Sequence, residues 1–232
     1  MLTCCAFLLL AISAQPDTLD GVTFAKSKSK LYASVAEIGK AFDLSVAYRK
    51  GVAYLNEKPI PLNSKELISG TKLIALSELE RWGATTSWQP DRKAALVEIG
   101  DKQVYVRLGQ KRAVVNKSEQ ELKAWQGRRV VFASKVSTGR RGYRTPSGVF
   151  DAGPYKARMH RSRLYDNAPM PWSVQVEGDV FVHGFKRVRG RPASHGCIRL
   201  PMNRNNPAKW FYEWVEVGTP ISISGKWPAR TR

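Results

Sequence analysis

The sequence predicts a mainly β domain, a sandwich with one or two helices, preceded by a small α+β repeat domain. Three observations predict this. A helix-then-strand pattern occurs twice before residue 117, and alternating apolar runs bounded by turn residues dominate after it. Charge also changes between the halves: residues 1–116 carry 16 Lys and Arg against 11 Asp and Glu, and residues 117–232 carry 22 against 8. The division read from these features is a leader over 1–15, a repeat domain over 20–116, a β domain over 117–224 and a basic tail over 225–232.

The opening MLTCCAFLLLAISAQPD is apolar from Ala6 to Ile12 and then turns small and polar. It resembles the core of a secretory signal peptide cleaved near Ser13, Ala14 or Gln15, although the usual basic n-region is missing. No apolar run reaches the roughly 18 residues a spanning helix needs, so no stable membrane insertion is expected after cleavage. Export removes Cys4 and Cys5 and leaves Cys197 as a lone thiol, unable to form an internal disulfide.

In the first half, LYASVAEIGKAFDLSVAY (31–48) parallels LIALSELERWGATTSW (73–88). Each reads as an amphipathic helix running into an aromatic-ended strand, followed by VAYLN (52–56) or AALVEI (94–99). Pro90-Asp91 marks a turn, and KQVYVRLG (102–109) alternates as another strand. Tyr48, Tyr54, Trp82 and Trp88 read as core residues. This half resembles the small repeat domain at the N-terminus of copper amine oxidases, but residues 15–116 hold no His and no Cys to ligate a metal. A binding or spacer role is the expectation.

In the second half, RRVVFASKVSTG (128–139) is a strand and turn, and GYRTPSGVFDAG (142–153) a constrained loop feeding a short strand. PWSVQVEGDVFVHGF (171–185) reads as a hairpin turning at Glu-Gly-Asp. NNPAKWFYEWVEVG (205–218) reads as a helix capped by Asn206, started by Pro207 and closed by Gly218, and PISIS (220–224) as a last strand.

The chemistry concentrates in FVHGFKRVRGRPASHGCIRL (181–200), which holds two of three histidines and the one cysteine outside the leader. Zinc is disfavoured: His183, His195 and Cys197 have no second Cys, no H-x-x-x-H pair and no Asp or Glu within the segment. A buried inert thiol beside a satisfied histidine would sit among Lys186, Arg187, Arg189, Arg191 and Arg199, a costly place for burial. Nucleophilic catalysis suits the composition. Positive charge and imidazole favour a thiolate, and Gly184 and Gly196 allow backbone amides near a substrate oxyanion. Spacing alone does not show which histidine is the base.

Ser194-His195-Gly196-Cys197-Ile198-Arg199-Leu200 behind His183-Gly184 resembles the signature of YkuD-type L,D-transpeptidases. STG…TPSGVF (137–150), APMPW (168–172) and VGTPISI (217–223) resemble further stretches of that family, over about residues 100–224. The resemblance implies a β-sandwich with a cleft, Cys197 as nucleophile, and His183 as base and then acid, oriented through the Gly184 carbonyl. It implies that the His195, Gly196 and Cys197 amides line an oxyanion site, and that Ser194 and Arg199 position substrate. It implies no cofactor and no metal. The partners would be peptidoglycan stem peptides as donor and acceptor, in the periplasm or cell wall, rather than nucleic acid. The basic 186–193 insert is short for the family and suggests an open cleft. Carboxypeptidase action, wall-protein ligation and non-catalytic wall binding stay as alternatives.

Overall fold

The computed structural model describes residues 17–61 and 64–226. The leader with Cys4 and Cys5, and all but the first two residues of the basic tail, lie outside the described residues. No described helix is long and apolar enough to cross a membrane.

The first unit is a six-stranded sheet with a three-stranded one beside it. Its strands are β1 (Asp17–Phe24), β2 (Ser27–Ser34), β3 (Val46–Arg49), β4 (Val52–Leu55), β5 (Lys58–Pro59), β6 (Leu73–Ala75), β7 (Thr85–Gln89), β8 (Ala94–Ile99) and β9 (Lys102–Leu108). They are ordered β6-β2-β1-β9-β8-β7 and β3-β4-β5. The repeat is present as structure. Tyr32 pairs with Ala75, Ala33 with Ile74 and Ser34 with Leu73, so β2 and β6 exchange under one shift (74 − 33 = 41). The same shift relates Val35 to Leu76 and Ile38 to Leu79, all buried.

The first copy carries the helix α1 (Val35–Ala41), as expected. The second is not an α-helix but a 3-10 segment, Leu76–Trp82, stopped by Gly83 at φ 79°. At its end the Gly83 amide bonds back to the Glu80 and Leu79 carbonyls. The aromatic expectation holds in part. Trp82 donates its indole N–H to the Leu55 carbonyl at 2.7 Å, but Tyr48 and Trp88 are 56% and 50% exposed. Both stand beside hairpin turns, on strand faces left open to solvent.

The second unit comprises β10 (Lys111–Asn116), β11 (Glu121–Gln126), β12 (Arg129–Lys135), β13 (Gly148–Asp151), β14 (Lys156–Ser162), β15 (Ala168–Glu177), β16 (Val180–Phe185), β17 (Ile198–Pro201), the helix α2 (Pro207–Trp214) and β18 (Pro220–Ser224). Five strands run β12-β11-β10-β18-β13 and four run β14-β15-β16-β17. Because β10 pairs with β11 and β18, the domain boundary falls near Gly109 rather than between 116 and 117.

Helix α2 starts where the sequence placed it. Asn206 Oδ1 accepts from the Lys209 amide at 3.1 Å, and Pro207 opens the first turn. It ends at Trp214 rather than at Gly218, which serves the turn into β18. The two units share one core through this helix. Trp210 stacks on Phe132 (centroids 5.2 Å) and meets Phe24 edge-on at 5.7 Å. Buried Gln126 completes the joint, accepting from the Thr23 amide at 3.0 Å and the Trp214 indole at 3.3 Å and donating to Thr23 Oγ1 at 2.9 Å.

Gln126→Ala strands two buried donors, each costing about 1–3 kcal/mol. Urea unfolding of the full chain is expected to show a loss of about 2 kcal/mol or more.

Candidate active site

Strand alternation decides which side chains reach the site. Strands β16 and β17 run parallel, with Val182 opposite Ile198, His183 opposite Arg199 and Gly184 opposite Leu200. Val182, Ile198 and Leu200 therefore face the core and are essentially inaccessible. Phe181, His183, Cys197 and Arg199 face the other side together. Gly184 is needed on the core side, since a Cβ there would lie 2.7 Å from Met202 Sδ and 3.1 Å from Ala208 Cβ of α2. One pairing register thus brings the His-Gly and Ser-His-Gly-Cys segments onto a single surface.

His183 is 4% exposed, and its Nδ1 lies 2.9 Å from the Gly184 carbonyl oxygen. A carbonyl only accepts, so Nδ1 carries the proton and Nε2 keeps its lone pair. Burial lowers its pKa to about 4, against the Gly184 hydrogen bond; Arg199 and His160 lower it further. Cys197 donates its thiol to the Asp179 carbonyl at 3.6 Å. Burial pushes its pKa up, opposed by the Phe181 amide and Arg199, with Asp179 adding to the rise.

The resting pair is therefore neutral imidazole beside neutral thiol. This corrects the expectation of a thiolate made by the basic insert. Lys186, Arg187, Arg189 and Arg191 are exposed, and Arg199 is the cation that acts on the thiol.

The Ser-His-Gly-Cys turn is held from beneath. Ser194 is fully buried; its hydroxyl donates to the Cys197 carbonyl at 2.6 Å and accepts from the Gly196 amide at 3.1 Å. Two expectations fall with this geometry. Ser194 is an internal brace and not a substrate contact, and the Gly196 amide is already committed rather than facing an oxyanion. Gly196 sits at φ +116°, a conformation L side chains rarely adopt, so its glycine is required by the turn.

The 137–150 stretch supplies the frame. Ser137 exchanges backbone bonds with Arg199, and the Thr138 carbonyl accepts from the Ala193 and Ser194 amides. Thr145 donates to the Gly196 carbonyl at 2.6 Å. His195 lies apart from this brace. Its Nε2 is 2.6 Å from Arg140, and its ring sits between Tyr143 and Tyr165 at 4.7 and 4.6 Å.

Cys197 opens into a cleft of about 760 Å³ lined by Tyr155, His160, Leu164, Tyr165 and Met170. The β14–β15 connection thus walls the site, where the short insert had suggested an open cleft. His160 stacks on Phe181 at 4.9 Å. Sequence reasoning missed His160, Arg140 and both tyrosines, because their contacts form across strands far apart in the chain. Arg199 is half-buried: its guanidinium lies 4.0 Å over Phe185 and donates to the Ala193 carbonyl at 3.1 Å, and its buried Nε has no hydrogen-bond partner.

The β-sandwich thus carries a carbonyl-held imidazole and a free thiol on one face of its β16–β17 pair, a candidate cysteine–histidine site. Residues 110–223, just under half of the chain, match the family model for the YkuD L,D-transpeptidase catalytic domain.

Solved structures are similar at lower overall agreement. An L,D-transpeptidase from Stackebrandtia nassauensis is 25% identical over 52% of this chain and 58% of its own, with TM-score 0.47. One from Xylanimonas cellulosilytica is 28% identical over 50% and 61%, with TM-score 0.45. One from Mycobacterium smegmatis is 16% identical over 92% and 96%, also at 0.45. The chain thus spans less than two thirds of the first two structures. No curated protein matches it.

Two predictions follow from this geometry. Ser194→Ala frees the Gly196 amide and the Cys197 carbonyl, and alkylation of Cys197 by a cleft-directed electrophile should slow by tenfold or more while the fold persists; intact-mass kinetics beside thermal unfolding check it. The second concerns acid. Because the folded His183 pKa is depressed from 6.5 to about 4, its contribution is complete above 6.5 and is lost as pH falls towards 4. Urea unfolding should show a loss of about 2–4 kcal/mol across that window, and His183→Gln should lose less over the same range.

Proposed function

We propose that the protein is an exported L,D-transpeptidase that acylates Cys197 with a peptidoglycan stem peptide and passes the acyl group to an amine. The observation that carries this reading is the Nδ1–Gly184 hydrogen bond, which leaves His183 Nε2 as a base on the face shared with Cys197. As Sγ attacks the carbonyl carbon between the third stem residue and the terminal D-residue, Nε2 takes the thiol proton. The amides of His195 and Cys197 serve the oxyanion, since that of Gly196 is committed. The C–N bond then breaks, His183 returns the proton to the departing amine, and a thioester remains. An acceptor amine attacks the thioester, gives its proton to Nε2, and the thiol is restored. Water in the same role yields carboxypeptidase action.

Charge fits this substrate. Stem peptides bear free carboxylates, and the catalytic half carries the greater positive excess. Arg199, opposite His183 in the β16–β17 register, is the residue we assign to the substrate. Export accords with the apolar leader and with Cys197 as the free thiol among the described residues. The i to i+41 duplication supports the reading of the first unit as a copper amine oxidase N-terminal-like repeat domain without its metal chemistry.

Purified tetrapeptide muropeptides test the reaction. The expected products are 3→3 cross-links with release of the terminal D-residue; shortened stems alone would assign the carboxypeptidase alternative, and no turnover would overturn the reading. Cys197→Ala should abolish the mass shift given by a carbapenem. His183→Ala should slow acylation by 100-fold or more, and His195→Ala by less, measured by stopped-flow fluorescence; the reverse order would exchange their roles.

A further inference from the structure

On the core side of the β16–β17 sheet, beyond α2, two concavities meet. One, of about 520 Å³, lies on the six-stranded sheet between Leu31 and Trp88. The other, of about 590 Å³, occupies the crevice between the units beside Lys111, Gln126 and Gly218. Both include Thr23, Lys28 and Leu108, so they form one trough. No first-unit residue lines the Cys197 cleft, and the trough is separate from it.

The trough is cationic in excess of its acids. Lys28, Lys30, Lys93 and Lys111 line it against Glu80 and Glu216. Glu216 is engaged by Lys111 at 2.7 Å and by Lys28 at 3.9 Å. Lys30 and Lys93 make no ion pair among the described residues. Beside them Trp88 is 50% exposed and Leu108 41%.

The strand that presents Trp88 is unusual as an edge. β7 pairs with β8 on one side only, and its sequence, Thr-Thr-Ser-Trp-Gln, contains no charge. Exposed edges are ordinarily guarded by charge, proline or burial. Here β12 carries Arg129 and Lys135, β14 carries Lys156, Arg158 and Arg161, and short β6 is buried. The outer amides and carbonyls of β7 are left for another backbone.

We propose that this trough and the bare β7 edge form a second binding site for peptidoglycan, taking carboxylate-bearing stem peptides. Lys28, Lys30 and Lys93 receive the carboxylates, Trp88 packs the apolar part of the chain, and β7 offers hydrogen bonds to the stem amides. Its place beyond α2 lets the first unit hold the polymer while the cleft stays open to a stem. The proposal rests on the peptidoglycan reading above.

The test uses the full chain with Cys197→Ala, so that turnover does not change the ligand, and sacculi stripped of phosphate polymers. Co-sedimentation should give a dissociation constant at least tenfold weaker for Lys30→Glu/Lys93→Glu and for Trp88→Ala than for the parent. In chains retaining Cys197, the same substitutions should leave carbapenem acylation and thermal unfolding unchanged. Retention that is unaltered by the substitutions, or equally strong on sacculi whose carboxylates are amidated, would overturn the site. The two readings fail separately. Unaltered retention with normal muropeptide products sinks the trough alone; trough-dependent retention with no products sinks the transpeptidase reading and leaves a wall-binding site.

Discussion

The parallel pairing of β16 with β17 is the constraint on which the site depends. A slip of one residue would turn Cys197 and Arg199 into the core and bring Ile198 out to the cleft, because the side-chain period of a strand is two. The register is therefore held from several sides. Val182, Ile198 and Leu200 belong to the buried core, and Gly184 lets α2 approach closely. Ser137 bonds Arg199 in both directions. Behind that, Gln120 holds Thr138 through 2.7 and 2.9 Å bonds while Thr138 receives the Ala193 and Ser194 amides. The nucleophile's position is thus a consequence of buried polar contacts three steps removed from it.

Helix α2 transmits the same constraint to the first unit. Its C-terminal carbonyls collect two lysines: Lys111 reaches Trp214 O at 2.8 Å, and Lys156 reaches Tyr212 O at 3.0 Å. Cations at a helix C-terminus are favoured by the dipole, yet burial dominates here and lowers the Lys156 pKa to about 8. Ion pairs from Lys26 to Glu213 and Lys28 to Glu216, both long and exposed, add little. The joint is secured instead by the Trp210, Phe24 and Phe132 contacts and by Gln126. A fixed first unit gives the trough a constant geometry relative to the catalytic sheet.

Local patterns made much of this legible. The Asn206-Pro207 start of α2, the hairpin over 171–185 and the first helix–strand unit have short-range causes, and they stand where the sequence put them. His183 and Cys197 were legible because scarce residues gathered in one segment. What was hidden depends on contacts between distant segments. Ser194 read as a substrate contact because its two partners are backbone atoms that only the folded turn presents. Lys186, Arg187, Arg189 and Arg191 looked like thiolate stabilisers in the linear sequence, but the loop carries them outward. Tyr48 and Trp88 looked like core aromatics because strand alternation says which side they face, not whether anything covers that side.

The correction of the thiolate expectation bears on how a lone thiol would be protected if the protein is exported, as proposed. A lone thiol in an oxidising compartment is endangered in proportion to its thiolate fraction and its exposure. Burial raises the Cys197 pKa, and the same burial lowers that of His183, so proton transfer between them is unfavourable at rest. In the proposed reaction a bound carbonyl would change the balance, because attack would create an oxyanion beside backbone amides while Nε2 became an imidazolium. Charge then appears as a pair, on neighbouring groups, only as the bond to carbon forms. On the proposed mechanism nucleophilicity is coupled to substrate binding, and burial favours the protonated, less reactive sulfur at rest.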